Sequence, residues 1–252
     1  PSTNSLRPVK LKINIYDETS DFDFKKLDLI TKGIKPCLKA AGHDLELLKT
    51  NRNVLLIEEF STTGLTGNTD NSEYENIQNP KYEKWISFWY GEGLQNKNLR
   101  DLGSRGQGKI TYNMISGSSS VFALSNQEDG NNNLLFGKCE LKKTYTIQKK
   151  SYAYKAYYCD VDNINDPDPQ PLPIRDPKFI SNFKKSFKIT RDKESGTSWL
   201  IPYVSGSFNS ENIITSFIKE FYIAIVQGIL ILEVNGTRVD SYNIIDILDD
   251  CN

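Results

Sequence analysis

Val54-Leu55-Leu56-Ile57-Glu58-Glu59-Phe60-Ser61-Thr62-Thr63-Gly64-Leu65-Thr66-Gly67 is the stretch on which the reading of the fold turns. Its first four residues form a continuous apolar run, short enough to be a strand buried on both faces. The run delivers the chain into two carboxylates, and these into a hydroxyl-rich segment punctuated by two glycines. From Asn68 to Asn79 the composition turns polar and acidic with no sustained period, the mark of a surface loop.

A second glycine segment follows, Gly103-Ser104-Arg105-Gly106-Gln107-Gly108-Lys109, running into a helix of about ten residues through Ile110, Met114 and Ile115. Glycines at the mouth of a helix suit phosphate: they let the backbone approach closely, and free N–H groups with the positive helix end face the anion. The same residues satisfy most of a P-loop, GxxxxGK. That motif wants Ser or Thr directly after the lysine and a buried strand directly before the first glycine. Here Ile110 follows the lysine, and Asn96 to Asp101 is no buried strand. The P-loop reading is therefore set aside.

Around these segments the pattern is mixed. Val9, Leu11, Ile13 and Ile15 alternate with Lys10, Lys12 and Asn14, a strand with one buried face. Residues 23 to 50 carry helical spacing interrupted by Pro36 and Gly42, which implies two or three short helices. Tyr82, Trp85, Phe88, Trp89 and Tyr90 are spaced to put most rings on one helical face, against the body of the domain. Further strands are expected at Ser120 to Ser125, across 133 to 159, and at Trp199 to Pro202. Asp160 to Pro177 reads as an irregular proline- and aspartate-rich loop, and Phe179, Phe183 and Phe187 as a short helix. Ser210 is a plausible N-cap for a helix ended by Gly228, followed by a strand at Ile229 to Val234 and a turn at Asn235-Gly236. Strands and helices without regular βαβ alternation point to one α+β domain, a two-layer sandwich of a mixed, mostly antiparallel sheet with helices on one face.

The 31 basic and 32 acidic residues nearly cancel, so no global field steers the chain onto nucleic acid or an anionic membrane. No apolar run approaches the ~20 residues of a membrane span, and no secretory leader opens the chain. Cys37, Cys139, Cys159 and Cys251 lack CxxC pairing, which argues against zinc and fits reduced thiols in a cytoplasmic protein. Asn235-Gly236-Thr237 matches a glycosylation sequon and is read as a turn. His43, the single histidine, sits beside Gly42 and reads as a turn residue.

The strand ending in an acid before Thr62-Thr63-Gly64-Leu65-Thr66-Gly67 resembles the first glycine box of the GHKL ATPases, the superfamily of DNA gyrase, heat-shock-90 chaperones, histidine kinases and MutL-type proteins. Gly103-x-x-Gly106-x-Gly108 resembles the second box, and Gly196-Thr197-Ser198 leading into a strand is similar to the third element. The resemblance covers a core of about 8–205, with a nucleotide lid at about 68–108 and a C-terminal helix-hairpin at 210–245, and implies the Bergerat-type ATP-binding fold. It places Glu59 where the family reads the adenine amine, Gly64 and Gly67 along the base and first phosphate, and Gly103, Gly106 and Gly108 around the phosphates. Lys109 would add a cation and Thr197 would support the base. Glu59 is one methylene longer than the family's aspartate and one position further from Gly64 than in chaperones and gyrase; Glu58 stays open as the reader.

The family's hydrolytic helix carries a Glu that activates water and, one turn on, an Asn that holds magnesium. No such pair precedes the first strand here; Glu46 and Asn51 have the wrong spacing. The expectation is that this box lies upstream of Pro1 or has been lost, with the Mg2+ ligand outside the chain and no catalytic or metal residue within it. The resemblance thus implies an ATP-binding domain of a larger prokaryotic ATPase whose lid closure drives homodimerisation or partner docking, by analogy in DNA transactions or phage defence. Its alternative is a non-catalytic nucleotide-sensing or scaffold module of the same fold. A histidine-kinase-like phosphotransferase ranks below both.

Overall fold

A computed structural model describes residues 7–50, 52–69, 83–91, 107–166, 169–204, 206 and 208–250. Among these the chain opens with β1 (Val9–Tyr16), then α1 (Phe24–Thr31), α2 (Ile34–Ala40), α3 (Leu47–Thr50) and β2 (Val54–Phe60). There follow α4 (Lys84–Trp89), α5 (Gln107–Ile115), β3 (Ser120–Asn126), β4 (Leu134–Glu140), β5 (Tyr145–Ile147), β6 (Lys150–Tyr152) and β7 (Lys155–Tyr158). The last third holds β8 (Asp160–Val161), β9 (Pro171–Leu172), α6 (Pro177–Ser186), β10 (Gly196–Pro202), α7 (Ser210–Val226), β11 (Leu230–Val234), β12 (Thr237–Val239) and α8 (Ile244–Asp250).

The described strands form an eight-stranded sheet in the order β12-β11-β1-β2-β10-β3-β4-β7. Every neighbouring pair is antiparallel except β1 with β11, so the mixed, mostly antiparallel α+β fold is as the sequence implied. The apolar run of β2 sits between β1 and β10, which explains why it does not alternate: both of its faces are covered. Leu55 belongs to one apolar cluster with Trp199, Ile201, Trp85, Trp89 and Ile214, while Val54 and Leu56 belong to a second with Leu27, Leu38, Phe183 and Leu200. Layering is therefore fuller than two layers: α4, α5, α7 and α8 pack on one side of the sheet, and α1, α2, α3 and α6 on the other.

Local chemistry accounts for the element ends. Asp23 caps α1 by accepting the Lys26 N–H at 2.9 Å, and Pro36 falls in the first turn of α2, where its missing N–H costs no helical bond. Asp176 caps α6 ahead of Pro177, accepting the Phe179 N–H at 2.6 Å. At α7 the cap is Asn209, one residue before the Ser210 expected; its side chain accepts the Asn212 N–H at 2.7 Å. Asn235 and Gly236 both adopt positive φ, 46° and 88°, in the tight turn joining β11 to β12. The loop expected at 160 to 177 contains the short ladder of β8 with β9. Among the described residues no helix is long and apolar enough to cross a membrane.

Candidate functional site

Adjacent strand residues point to opposite faces of a sheet, so Glu58 and Glu59 at the end of β2 meet different surroundings. Glu58 is fully buried. One of its oxygens accepts the Thr190 N–H at 3.0 Å, the Arg191 N–H at 3.2 Å and the Ser198 hydroxyl at 2.9 Å; the other accepts the Thr190 hydroxyl at 2.7 Å. The buried Arg191 guanidinium donates to Ser198 Oγ at 3.0 Å, to the Glu194 carbonyl at 3.0 Å and to the Glu59 backbone carbonyl, and lies over the Phe60 ring. Burial pushes Arg191 down to about 10, against the upward pull of Glu58 and Glu59. Glu58 thus ties the segment after α6 to the sheet, with its lone pairs engaged by the protein's own donors.

Glu59 faces the side of α4 and α5. The ladder pairs Glu58 with Ser198, so the next rung sets Glu59 opposite Thr197. Burial raises the Glu59 carboxyl above its ordinary range, while Arg191, the polar groups of the Trp199 and Thr197 side chains beside it, and Lys84 oppose the rise. Thr197 is itself fully buried, and its hydroxyl meets Ser125 Oγ at 3.3 Å. Ser125 Oγ accepts the Leu65 N–H at 2.9 Å. Thr197, on the rung beside Glu59, is therefore linked through Ser125 to the backbone of the first glycine segment.

That segment is fixed by close approach. Gly64 has φ +66°, and a Cβ there would lie 2.3 Å from the Asn126 carbonyl oxygen. The Gln127 amide donates to the Leu65 carbonyl and, at 3.2 Å, to the Gly67 carbonyl. On α4, the Trp85 N–H reaches the Thr66 carbonyl at 2.9 Å, and the Lys84 ammonium donates to the Thr63 hydroxyl. Gly196 is held as tightly: φ is +131°, and a Cβ would sit 2.1 Å from the Glu59 carbonyl oxygen. Only glycine lets β10 come this near to β2.

Of the second glycine segment, Gly103 and Gly106 lie outside the described residues. Gly108 and Lys109 fall in the first turn of α5, with the Lys109 side chain outside the description. Tyr112, in the same helix, stacks on Trp199 with ring centroids 5.0 Å apart and planes at 27°. Burial first, and the Glu59 charge second, push the Tyr112 hydroxyl up to about 12. The helix that the second segment opens is thereby seated against Glu59 and β10. The aromatic stretch on α4 packs inward as expected, Trp85 and Trp89 being fully buried.

Glu59, Gly64, Gly67 and Thr197 thus lie on connected segments, with Tyr112 of α5 beside Glu59. Sequence reasoning passed over Trp199, Tyr112, Lys84 and Arg191. The first has a signal in period two, since Trp199 shares the face of Thr197, and Tyr112 lies one turn past Lys109. Arg191 carries none. Among the described residues no group of three or more His, Cys, Asp or Glu side chains is placed to hold a metal ion. Cys37, Cys139 and Cys159 are free thiols, and burial pushes Cys139 up to about 12. A cavity of about 280 Å³ between Ile30, Ile34, Cys37, Phe122, Leu141 and Tyr158 lies on the opposite side of the sheet from Glu59 and forms no part of this site.

No family model and no curated protein matches the chain. Among solved structures it is similar to the ATPase region of Saccharomyces cerevisiae topoisomerase II bound to dexrazoxane, at 11% identity and a TM-score of 0.39, covering 96% of this chain and 46% of that one. The same yeast region in a second structure gives 10% identity and a TM-score of 0.38, covering 96% and 47%. The ATPase and transducer domains of topoisomerase II from Balamuthia mandrillaris give 13% and 0.38, covering 94% and 44%. The chain spans less than half the length of each.

Proposed function

We propose that this chain is an adenine-nucleotide-binding domain, part of a larger GHKL-type ATPase. In this reading Glu59 accepts the exocyclic amine of the base, Thr197 supports it, and Gly64 and Gly67 border the base and the first phosphate. Gly103, Gly106, Gly108 and Lys109 wrap the remaining phosphates at the positive end of α5. Closure of the 68–108 segment over bound nucleotide favours homodimerisation or partner docking. No residue of this chain is assigned the hydrolytic step or a magnesium ligand.

The observation that carries the reading is the convergence of Glu59, Thr197 and the Gly64 backbone, distant in sequence, through the Thr197–Ser125–Leu65 contacts. An ionised carboxylate is an acceptor without a proton to offer, so it selects a base bearing an amine. Glu58, fully bonded within the fold, leaves that task to its neighbour. Calorimetric titration with ATP and ADP in the presence of magnesium tests the proposal. Saturable binding that Glu59→Ala abolishes supports it, and binding unchanged by that substitution refutes the assignment. The chain alone is expected to hydrolyse ATP negligibly; turnover that depends on Lys109 would contradict this.

A further inference from the structure

α7 buries Ile214, Ile218 and Ile225 in the apolar cluster that also holds Leu232 and Val234 of β11. A helix seated in this way ordinarily turns polar residues to solvent. Here the backbone leaves the helical region at Phe221, with φ −119° and ψ 17°, and from that residue on the solvent side is apolar: Phe221, Tyr222 and Val226 are exposed, and Ile223 is 69% exposed. The patch continues onto Ile229 and, across the Gly228 turn that brings Ser241 close, onto the exposed Tyr242 and Ile245. At ~200 Å² for a large side chain, the exposed fractions of these residues amount to roughly 800 Å². An ordinary monomer leaves apolar patches of about 300–600 Å², whereas a stable interface takes about 800 Å² from each partner. The face exceeds the first figure and meets the second.

We propose that the face built by α7, Ile229 and the start of α8 is a two-fold interface with a second copy of this chain, formed without nucleotide. Charge favours a like partner over an unlike one. Lys219 and Glu220 are adjacent and exposed where the apolar stretch begins. A partner of one strong sign would be repelled by one of them, whereas a two-fold axis between them, in an antiparallel pair of α7 helices, sets each lysine against the other copy's glutamate. The same axis sets Ser216 against Ile223 and Phe217 against Tyr222. The groove of about 530 Å³ beside Ser216 and Phe217 then receives the side chains that protrude from the second half of the helix. A formal net charge of −1 puts little long-range repulsion between two copies. This contact is separate from any association that closure of the 68–108 segment favours, and it does not depend on the nucleotide reading.

Sedimentation velocity of the nucleotide-free chain over a concentration series reaching about 100 μM tests this, since interfaces of this size hold at micromolar concentration or below. The wild type is expected to sediment as a dimer. Ile223→Asp removes two buried isoleucines from each dimer and should raise the dissociation constant at least ~100-fold. Lys219→Glu and Glu220→Lys each bring like charges together twice and should each raise it about tenfold. An equimolar mixture of those two variants restores both opposite-charge contacts and should dimerise as the wild type does. Circular dichroism and thermal melting establish that each variant is folded; if Ile223→Asp is not, the charge reversals and their mixture decide. A wild type that stays monomeric throughout, or a dimer that a folded Ile223→Asp variant keeps, overturns the interface. A dimer indifferent to both reversals, or one that mixing does not restore, overturns the two-fold pairing.

Discussion

Replacing Glu58 by Gln separates the two adjacent carboxylates by what they hold. Glu58 is fully buried with four donors on its two oxygens and the Arg191 guanidinium nearby. In the glutamine variant the amide oxygen keeps the three bonds from Thr190 N, Arg191 N and Ser198 Oγ, but each loses charge assistance, about 1 kcal/mol apiece. The Thr190 hydroxyl can rotate to accept from the new NH2, so the fourth bond is reversed instead of lost. Arg191 meanwhile loses one counter-charge and keeps Glu59 and Glu194 nearby, so the weakened bonds dominate, about 3 kcal/mol in total. For a domain of this size that corresponds to a fall in Tm of roughly 6–12 °C. Differential scanning calorimetry and urea melts of Glu58→Gln, beside Glu59→Gln, read it out. Glu59→Gln is expected within about 1 kcal/mol of the wild type, because its surroundings already mix donors with partial exposure. A Glu58→Gln variant as stable as the wild type, or an equally large loss at Glu59, would refute the division of roles.

Further expectations follow from the same geometry. Gly196→Ala drives a Cβ into the Glu59 carbonyl at a φ that L residues rarely adopt; a loss of about 2–4 kcal/mol in denaturant melts is expected, with ATP binding lost alongside. Because burial raises the Glu59 carboxyl, its contribution to stability is full below the ordinary value of 4.5 and is lost as pH rises through the raised native value. Melts of wild type against Glu59→Gln at stepped pH should show the wild type losing ground above about pH 4.5, and a difference independent of pH would contradict the buried carboxyl. ATP affinity should move the other way, rising across that window as the carboxylate forms, as calorimetry at the same pH values would record. Arg191→Lys keeps the charge but cannot reach Ser198, Glu194 and the Glu59 carbonyl at once; about 2 kcal/mol of stability should be lost, and an unchanged melting curve would speak against the fork as a tie between β2 and β10.

The central strands were legible because burial on both faces writes a continuous apolar run, as in Val54 to Ile57, and one-sided burial writes alternation, as in β1. α7 and the Asn235-Gly236 turn were legible from local rules, with the cap shifted by one residue because Asn209 and Ser210 are both competent and only one has the extended backbone. That helices cover both faces was hidden: α1, α2 and α6 are short, and their apolar positions do not say which side of a sheet they meet. The resemblance singled out Glu59, Gly64 and Thr197 from the end of β2, the loop after it and the start of β10. It could not separate Glu58 from Glu59, because that depends on Thr190, Arg191 and Ser198, more than a hundred residues away in sequence. Trp199 was read only as strand-forming apolar bulk; its stack on Tyr112 beside Glu59 exists only once β10, β2 and α5 meet.

The most direct test of the site is the ratio of GTP to ATP dissociation constants, measured by calorimetry for the wild type and for Glu59→Gln. Guanine presents a carbonyl oxygen where adenine presents an amine, so an ionised Glu59 would meet it lone pair to lone pair, whereas glutamine can turn its NH2 toward either base. A site built on such a bond is expected to favour ATP by about 100-fold or more in the wild type, falling to within a few-fold in the variant. A ratio unchanged by Glu59→Gln, with ATP affinity intact, would contradict the assignment of Glu59 as the residue that reads the base.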